Sequence, residues 1–174
     1  GNTFRWWWDY AGGPVTDWGA HHNDIARWAI GQDGPISVEA TATVGPIQGG
    51  YSTCKEFEST LEYAGDVRQI VKTTTADSPF GGILDPNGQR NGVRFTGTDG
   101  WIWVNRKDLM ASQEAIYLEP LPDNAIRLET SNNHMGNFFE CVRSRKDPVA
   151  KVEHGHRSAV VGHLIIIGMH QGRK

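Results

Sequence analysis

A stretch near the start of the chain repeats apolar and polar positions with the period of an α-helix. Between Pro14 and Ile30, positions advancing by about 100° per residue separate into two stripes. The first stripe is mainly apolar and is predicted to face the core: Val15, Trp18, His22, Ile25 and Ala29. The second is a charged line that ends in an aromatic residue: Asp17, His21, Asp24 and Trp28.

The middle of the chain changes to the two-residue period of β-strands. Apolar side chains alternate there with Ser, Thr and Glu, which indicates antiparallel strands with one solvated face. The predicted strands are residues 36–44, 57–63, 67–75, 93–98 and 100–105, with shorter candidates at 115–118 and 125–128. Hairpin turns are expected at residues 64–66 and 98–100, and the Pro- and Gly-rich residues 78–92 are expected to form a loop.

Two further helices are predicted towards the C-terminal end. One spans Met135–Arg145, with Asn132 or Asn133 as its N-cap, and the other begins near Glu153 and continues towards Met169. A helix, a run of strands and two helices is the order of an α+β fold. We therefore expect an open, largely antiparallel β-sheet with helices packed on one face, in a single domain over residues 1–174.

Composition restricts the classes of function. The 174 residues carry a formal net charge of -3 and no block of Lys and Arg, so we expect neither a nucleic-acid nor an anionic-membrane partner. The longest apolar run, Leu164–Ile167, is far shorter than the roughly 20 residues of a membrane helix. Cys54 and Cys141 are isolated, which fits a reducing compartment and favours a cytoplasmic location.

Asp17 and His21 are candidates for acid–base chemistry. They stand at positions i and i+4, so their side chains are expected to meet on one face of the helix. A carboxylate beside an imidazole fixes the tautomer and raises the basicity of the ring, as general acid–base catalysts require. A solvated local contact is the alternative explanation of this spacing. His22, on the apolar stripe, is expected to be a hydrogen-bonded core residue.

The histidines also raise the question of a metal site. Adjacent His21 and His22 could combine with Asp17, His134 or the pair His154 and His156. Neighbouring histidines on a helix diverge by about 100°, however, and the sequence contains neither H-x-x-x-H nor H-E-x-x-H spacing. We therefore assign no metal ligand.

Aromatic residues are concentrated near the proposed helix. Five of the seven Trp lie in the first 28 residues, and a run of rings directly precedes the helix. Because flat rings suit the apolar C–H faces of a sugar, a sugar-like substrate is predicted to bind to five residues: Trp6, Trp7, Trp8, Tyr10 and Trp28. Packing in the core or at an interface is the alternative.

Known nucleotide-binding signatures are absent from the sequence. No G-x-G-x-x-G follows a predicted strand, and no G-x-x-x-x-G-K-[ST] is present. No cofactor-binding residue is therefore assigned in this chain.

The string GGPVTDWGAHHNDIARW resembles the catalytic helix of the glucose–fructose oxidoreductase / inositol dehydrogenase / rhizopine-catabolism (Gfo/Idh/MocA) family. In that family G-G-x-x-x-D-x-G-x-H-x-x-D opens the substrate-binding domain, and it matches here from Gly12 to Asp24. Three more segments are similar to the same family in the same order: FRWWWDY, GWIWVNR and NNHMGNFFECVRSRKDPVAKVEHGHRSA. The resemblance covers nearly the whole chain.

The resemblance implies the substrate domain of an oxidoreductase that uses NAD or NADP on a sugar, polyol or glycoside. His21 would be the acid–base group for the alcohol oxygen, Asp17 would assist it, and Asp24 would hold the helix. The family's open sheet face commonly forms a subunit interface, which implies a homo-oligomer. Its Gly-rich dinucleotide site and catalytic Lys lie on a preceding Rossmann domain. The chain is therefore expected to be a truncated C-terminal domain, not a competent dehydrogenase alone.

Two other classes of function stay open at this point. One is a stand-alone glycoside hydrolase or lyase, cofactor-free or metal-assisted, that would use Asp17, His21 and either His134 or His156. The other is a non-catalytic sugar-binding or oligomerisation module, which would depend on the aromatic residues and the solvated face of the sheet.

Overall fold

Helices and antiparallel strands make up the fold. The computed structural model describes residues 3–73 and 91–174. Its helices are α1 (Trp18–Ile30), α2 (Ala115–Leu118), α3 (His134–Ser144) and α4 (Val152–Gln171), and two 3-10 turns, Phe4–Trp6 and Gly13–Val15, precede α1. Its strands are β1 (Ser37–Val44), β2 (Glu56–Glu62), β3 (Arg68–Lys72), β4 (Val93–Thr96), β5 (Trp101–Val104) and β6 (Leu109–Ala111). The predicted α+β class is confirmed.

The described strands form two antiparallel sheets of three strands, ordered β1-β2-β3 and β4-β5-β6. The predicted hairpin turn at residues 64–66 joins β2 to β3, and both Gly65 and Asp66 have positive φ there. Residues 74–90 fall outside the described part of the chain. They contain the end of the predicted strand 67–75 and most of the predicted loop 78–92.

Helix α4 covers one face of the first sheet. Side chains on that face are buried, including Ala40, Phe57 and Leu61, and they pack with Val161 and Ile165 of α4. Ala40 lies opposite Ser59 in the register, and the next pair along, Thr41 opposite Glu58, is exposed on the other face. Strand periodicity thus places apolar groups under α4 and polar groups on the outer face.

Helix α1 packs against α4 through small and polar side chains. Its buried residues are Gly19, Asn23 and Ala26, whereas Trp18 is 52% exposed. The predicted core stripe, with Trp18 and Ala29 facing inward, was therefore wrong, because the buried side of α1 is displaced from it by about one residue. The buried side of α1 thus has small or hydrogen-bonded side chains, and the bulky indole of Trp18 lies outside it.

The burial of Asn23 depends on a chain of hydrogen bonds to the first sheet. Its side-chain oxygen accepts a bond of 2.9 Å from Gln69, whose own oxygen accepts one of 2.8 Å from the Tyr63 hydroxyl. These bonds replace water at the Asn23 oxygen, which allows a polar residue on the buried side of α1, whereas the amide nitrogen of Asn23 has no hydrogen-bond partner among the described residues. Helical periodicity alone treats Asn23 as a surface residue.

Two short strand predictions were wrong. Residues 115–118 form the single turn α2, in which the Leu118 amide donates to the Glu114 carbonyl. Residues 125–128 have no strand structure, and Ile126 is 92% exposed. The strand β6 was not predicted. It pairs with β5, and Met110 lies opposite Trp103. Short apolar runs do not distinguish helix from strand without knowledge of their partners.

Helix α3 begins where the sequence predicts. Asn133 is its N-cap, and the Asn133 side-chain oxygen accepts a 2.8 Å bond from the Gly136 amide. Four large apolar side chains of this helix are each at least 45% exposed: Met135, Phe138, Phe139 and Val142. Within residues 3–73 and 91–174, no helix is both long and apolar enough to cross a membrane.

Candidate functional site

A cavity of about 730 Å³ opens between α1, the start of α4 and the turn that follows β5. We call it the α1–α4 pocket. Its lining side chains come from α1 (Trp18, Ala20, His21, His22, Asp24, Ile25, Trp28), from residues 91, 105 and 106, and from the start of α4 (residues 150–152, 154–156, 158 and 159). The volume is within the range of small-molecule sites.

One face of α1 supplies the aromatic and imidazole wall of the pocket. His21 is exposed, and its ring centroid lies 5.7 Å from that of Trp18 in an edge-on contact. Trp28 lies on the same wall and is 48% exposed. The rings of Trp18 and Trp28 therefore border the same cavity as His21. Trp28 is one of the five residues that the sequence predicts to bind a sugar-like substrate.

Trp18 is also in contact with two other pocket residues. His22 stacks on it at a centroid distance of 6.1 Å and an interplanar angle of 25°. The guanidinium carbon of Arg106, in the turn after β5, lies 5.7 Å from the Trp18 ring centroid. The indole thus holds an imidazole and a guanidinium beside His21.

The floor of the pocket is held by a hydroxyl that joins α1 to α4. The Ser158 hydroxyl is buried, lies 2.6 Å from an Asp24 carboxylate oxygen and donates to it. Arg27 Nε approaches the same hydroxyl at 3.4 Å. Asp24 therefore bridges two helices, which agrees with the helix-holding role that the resemblance implies.

Asp17 lies apart from His21. It is the N-cap residue of α1, with φ −86° and ψ −97°, so it precedes the regular helix. Its carboxylate pairs with Arg5, Nε to Oδ1 at 3.3 Å. The expected contact at i and i+4 requires both residues in the helix. The structure does not bring the two side chains together, and Asp17 does not line the pocket.

The N-terminal aromatic residues lie at the other end of α4. Trp7 meets Tyr51 edge-on at 5.9 Å, and Trp8 lies 5.1 Å from the ring of His170. His170 is twelve residues beyond Ser158, or about 18 Å along the helix. Trp6 and Tyr10 belong to the same segment, and Tyr10 is 73% exposed. A sugar contact by Trp6, Trp7, Trp8 or Tyr10 stays a prediction, at a place outside the α1–α4 pocket.

Sequence reasoning missed several pocket residues. Trp18 and His22 were assigned to the core, Arg106 was not considered, and His154 and His156 were considered only as metal ligands. The signal that could have found them is the pattern of similar segments, because GWIWVNR ends at Arg106 and the last segment contains His154-Gly155-His156. Within the described residues, no three His, Cys, Asp or Glu side chains form a group that could hold a metal ion.

Burial lowers the pKa of His22 below its ordinary value of about 6.5. The nearby His21 and Arg106 lower it further, whereas a hydrogen bond to the Trp18 backbone opposes the shift. The neutral imidazole is therefore favoured in the folded protein. Since the unfolded chain binds the proton more tightly, this contribution to stability is complete above pH 6.5 or so and is lost as the pH falls below that value.

We expect an NMR titration of the His22 ring to give a pKa below about 6.5. Trp18→Ala removes the stacked indole and should raise this pKa, because the ring becomes more hydrated. Trp28→Ala is the matched control, since it removes an indole from the same pocket but not the one that stacks on His22. A His22 pKa at or above the ordinary value would contradict the burial that the structure shows.

Comparisons with known proteins agree with this fold. The family model described as "Oxidoreductase family, C-terminal alpha/beta domain", of the Gfo/Idh/MocA group, matches residues 1–174. A comparison with curated proteins gives no match.

Three similar solved structures contain this fold. One is the WlbA dehydrogenase from Bordetella pertussis in complex with NADH and UDP-GlcNAcA (TM-score 0.62, 17% identity, 97% of this chain and 46% of that chain). Another is levoglucosan dehydrogenase in complex with NADH and levoglucosan (TM-score 0.59, 19% identity, 97% of this chain and 51% of that chain). The third is an NAD-binding protein from Listeria innocua (TM-score 0.59, 12% identity, 95% of this chain and 52% of that chain). The chain spans about half the length of these proteins. Because the family model covers every residue, the chain belongs to the Gfo/Idh/MocA oxidoreductase family, as its C-terminal α/β domain.

Proposed function

We propose that the chain is the substrate-binding domain of an NAD- or NADP-dependent oxidoreductase that acts on a sugar, polyol or related glycoside. The observation that carries this proposal is the α1–α4 pocket, which His21, Trp18 and Trp28 line together. Two similar structures support it, since one was solved with NADH and levoglucosan and the other with NADH and UDP-GlcNAcA.

In this proposal His21 is the acid–base residue. Its exposed imidazole borders the cavity and can take the proton of a substrate hydroxyl on one ring nitrogen, or return it in the reverse direction. Asp17 assists if its carboxylate turns from Arg5 towards His21, which would stabilise the protonated ring. The indole face of Trp28 receives the apolar side of the sugar, while Trp18, which contacts His22 and Arg106, borders the same cavity.

The described residues do not fit a dinucleotide cofactor. All of their strand pairs are antiparallel, whereas dinucleotides bind at the carboxyl ends of parallel strands. We infer that a separate dinucleotide-binding domain holds the cofactor, whose nicotinamide exchanges the hydride with the substrate carbon. This chain then contributes the residues that bind the substrate and hold its proton.

We also propose that the chain assembles as a homo-oligomer through the outer face of the first sheet. Among the described residues no helix covers that face, and Ile70 of β3, which lies opposite Thr60 in the register, is 43% exposed there. Light scattering of the purified chain should give the mass of at least two copies. The mass of a single chain at every concentration would contradict this arrangement.

The experiment that tests the function uses the full-length gene product that contains this chain. It is mixed with NAD⁺ or NADP⁺ and a panel of neutral and anionic compounds (levoglucosan, glucose, inositol, glucuronate and glucose 6-phosphate), and the reduced nicotinamide is followed by absorbance. Turnover with at least one sugar is expected. Sugar-dependent Trp fluorescence without any turnover would instead support a non-catalytic sugar-binding module.

A further inference from the structure

The charges that border the α1–α4 pocket indicate what kind of sugar it takes. We infer that the pocket binds a sugar bearing an oxyanion, either a carboxylate or a phosphate, and that Arg106 is the main anion-binding residue. This inference rests on the proposed function, because it names the substrate class of the same site.

Cations outnumber carboxylates in the lining of the pocket. Arg106 and Lys151 are positively charged, and Asp24 is the one carboxylate among the described lining residues. Asp24 accepts a hydrogen bond from Ser158 at the floor, so one of its oxygens is already occupied. The formal charge of the lining is therefore positive even with its four histidines neutral: His21, His22, His154 and His156.

The two cations differ in their availability. Lys151 pairs with Asp147 at 3.0 Å and is partly neutralised by it. Arg106 stacks over Trp18 and, among residues 3–73 and 91–174, has no carboxylate partner within ion-pair distance. A guanidinium held by an indole face keeps its planar set of N–H donors free for a ligand.

A neutral sugar does not account for this arrangement as well as an anionic one. The donors of Arg match the two oxygens of a carboxylate or phosphate, and such charge-assisted bonds are about twice as strong as neutral ones. His154 and His156 line the same pocket from the first turns of α4, where the helix dipole also favours a negative charge. The cavity of about 730 Å³ has room for a sugar ring together with its anionic group.

Isothermal titration calorimetry of the 174-residue chain tests the inference with three probes: glucuronate, glucose 6-phosphate and glucose. We expect at least one of the two anionic sugars to bind about tenfold more tightly than glucose, as one charged hydrogen bond requires. The separate titrations distinguish a carboxylate site from a phosphate site. Arg106→Gln should remove the preference. Lys107→Gln is the matched control, because it removes the same charge from the next residue, which does not line the pocket.

Several results would overturn the inference. They are equal affinity for glucose and both anionic sugars, an unchanged preference in Arg106→Gln, equal losses in Arg106→Gln and Lys107→Gln, and no binding of any sugar. Inorganic phosphate that binds as tightly as glucose 6-phosphate would also overturn it, since the sugar would then contribute nothing.

The failure of this inference can be told from the failure of the proposed function. Binding to the chain requires neither cofactor nor the imidazole of His21. An Arg106-dependent preference with no hydride transfer in the full-length protein would therefore refute the proposed reaction alone. Turnover of neutral sugars that Arg106→Gln does not affect would refute the anionic substrate alone.

Discussion

Replacement of His21 by alanine should lower kcat of the full-length enzyme by about a hundred- to ten-thousandfold. In the proposed reaction the substrate hydroxyl loses its proton as its carbon loses a hydride, and His21 is the exposed imidazole of α1 that lines the pocket together with Trp18 and Trp28. Without it, water must take the proton. Initial rates over a range of sugar concentrations separate the effect on kcat from that on KM.

His163→Ala is the matched control for this substitution. His163 is exposed on α4, the other helix of the pocket, but does not line the cavity, so its loss should leave kcat nearly unchanged. Added imidazole should partly restore the rate of the His21→Ala variant, which a purely structural role would not explain. A His21→Ala enzyme with nearly normal kcat would refute the acid–base assignment.

Gly13→Ala should destabilise the chain by about 3 kcal/mol, the second large effect that we expect. Gly13 has φ +63°, a conformation that costs L-residues energy. A Cβ atom there would also lie 2.8 Å from the Cβ of buried Thr53. Strain and overlap therefore add, and urea denaturation followed by circular dichroism measures the loss.

Gly31→Ala separates these two causes. Gly31 has φ +66° at the C-cap of α1, but nothing lies within 4 Å of the position of an added Cβ. Alanine there should cost only the conformational strain, about 1 kcal/mol. Equal losses in the two variants would show that Thr53 moves away freely. Gly13 of the family signature would then have no packing role at the entrance to α1.

The sequence predicted most elements of the fold because their patterns are local. Residues 14–30 carry helical periodicity, a Pro near the start and a Gly at the end, and the structure has a 3-10 turn, α1 and a Gly31 cap there. The side of α1 that faces inward is not local information. Asn23 is buried because Gln69, 46 residues away, bonds to it, and no periodicity reports that partner.

The candidate site was predictable only where one helix contains it. His21 and Trp28 are seven residues apart, about two helical turns, and line the same cavity, as their common stripe suggested. Arg106 and the start of α4 reach this cavity through tertiary packing, so helix spacing could not place them. Asp17 was predicted to meet His21, because the four-residue spacing places both residues in one helix. In the structure α1 begins at Trp18, one residue after Asp17, so the spacing does not apply.

The position of Trp18 limits how the pocket can change during evolution. Its indole contacts three side chains of the pocket: the proposed acid–base residue His21, the imidazole of His22 and the guanidinium of Arg106, which we infer binds the substrate anion. A substitution at position 18 would therefore alter proton transfer and substrate charge preference in one step. New specificities can arise more independently at Arg106 or at the start of α4, where a change leaves the catalytic helix intact.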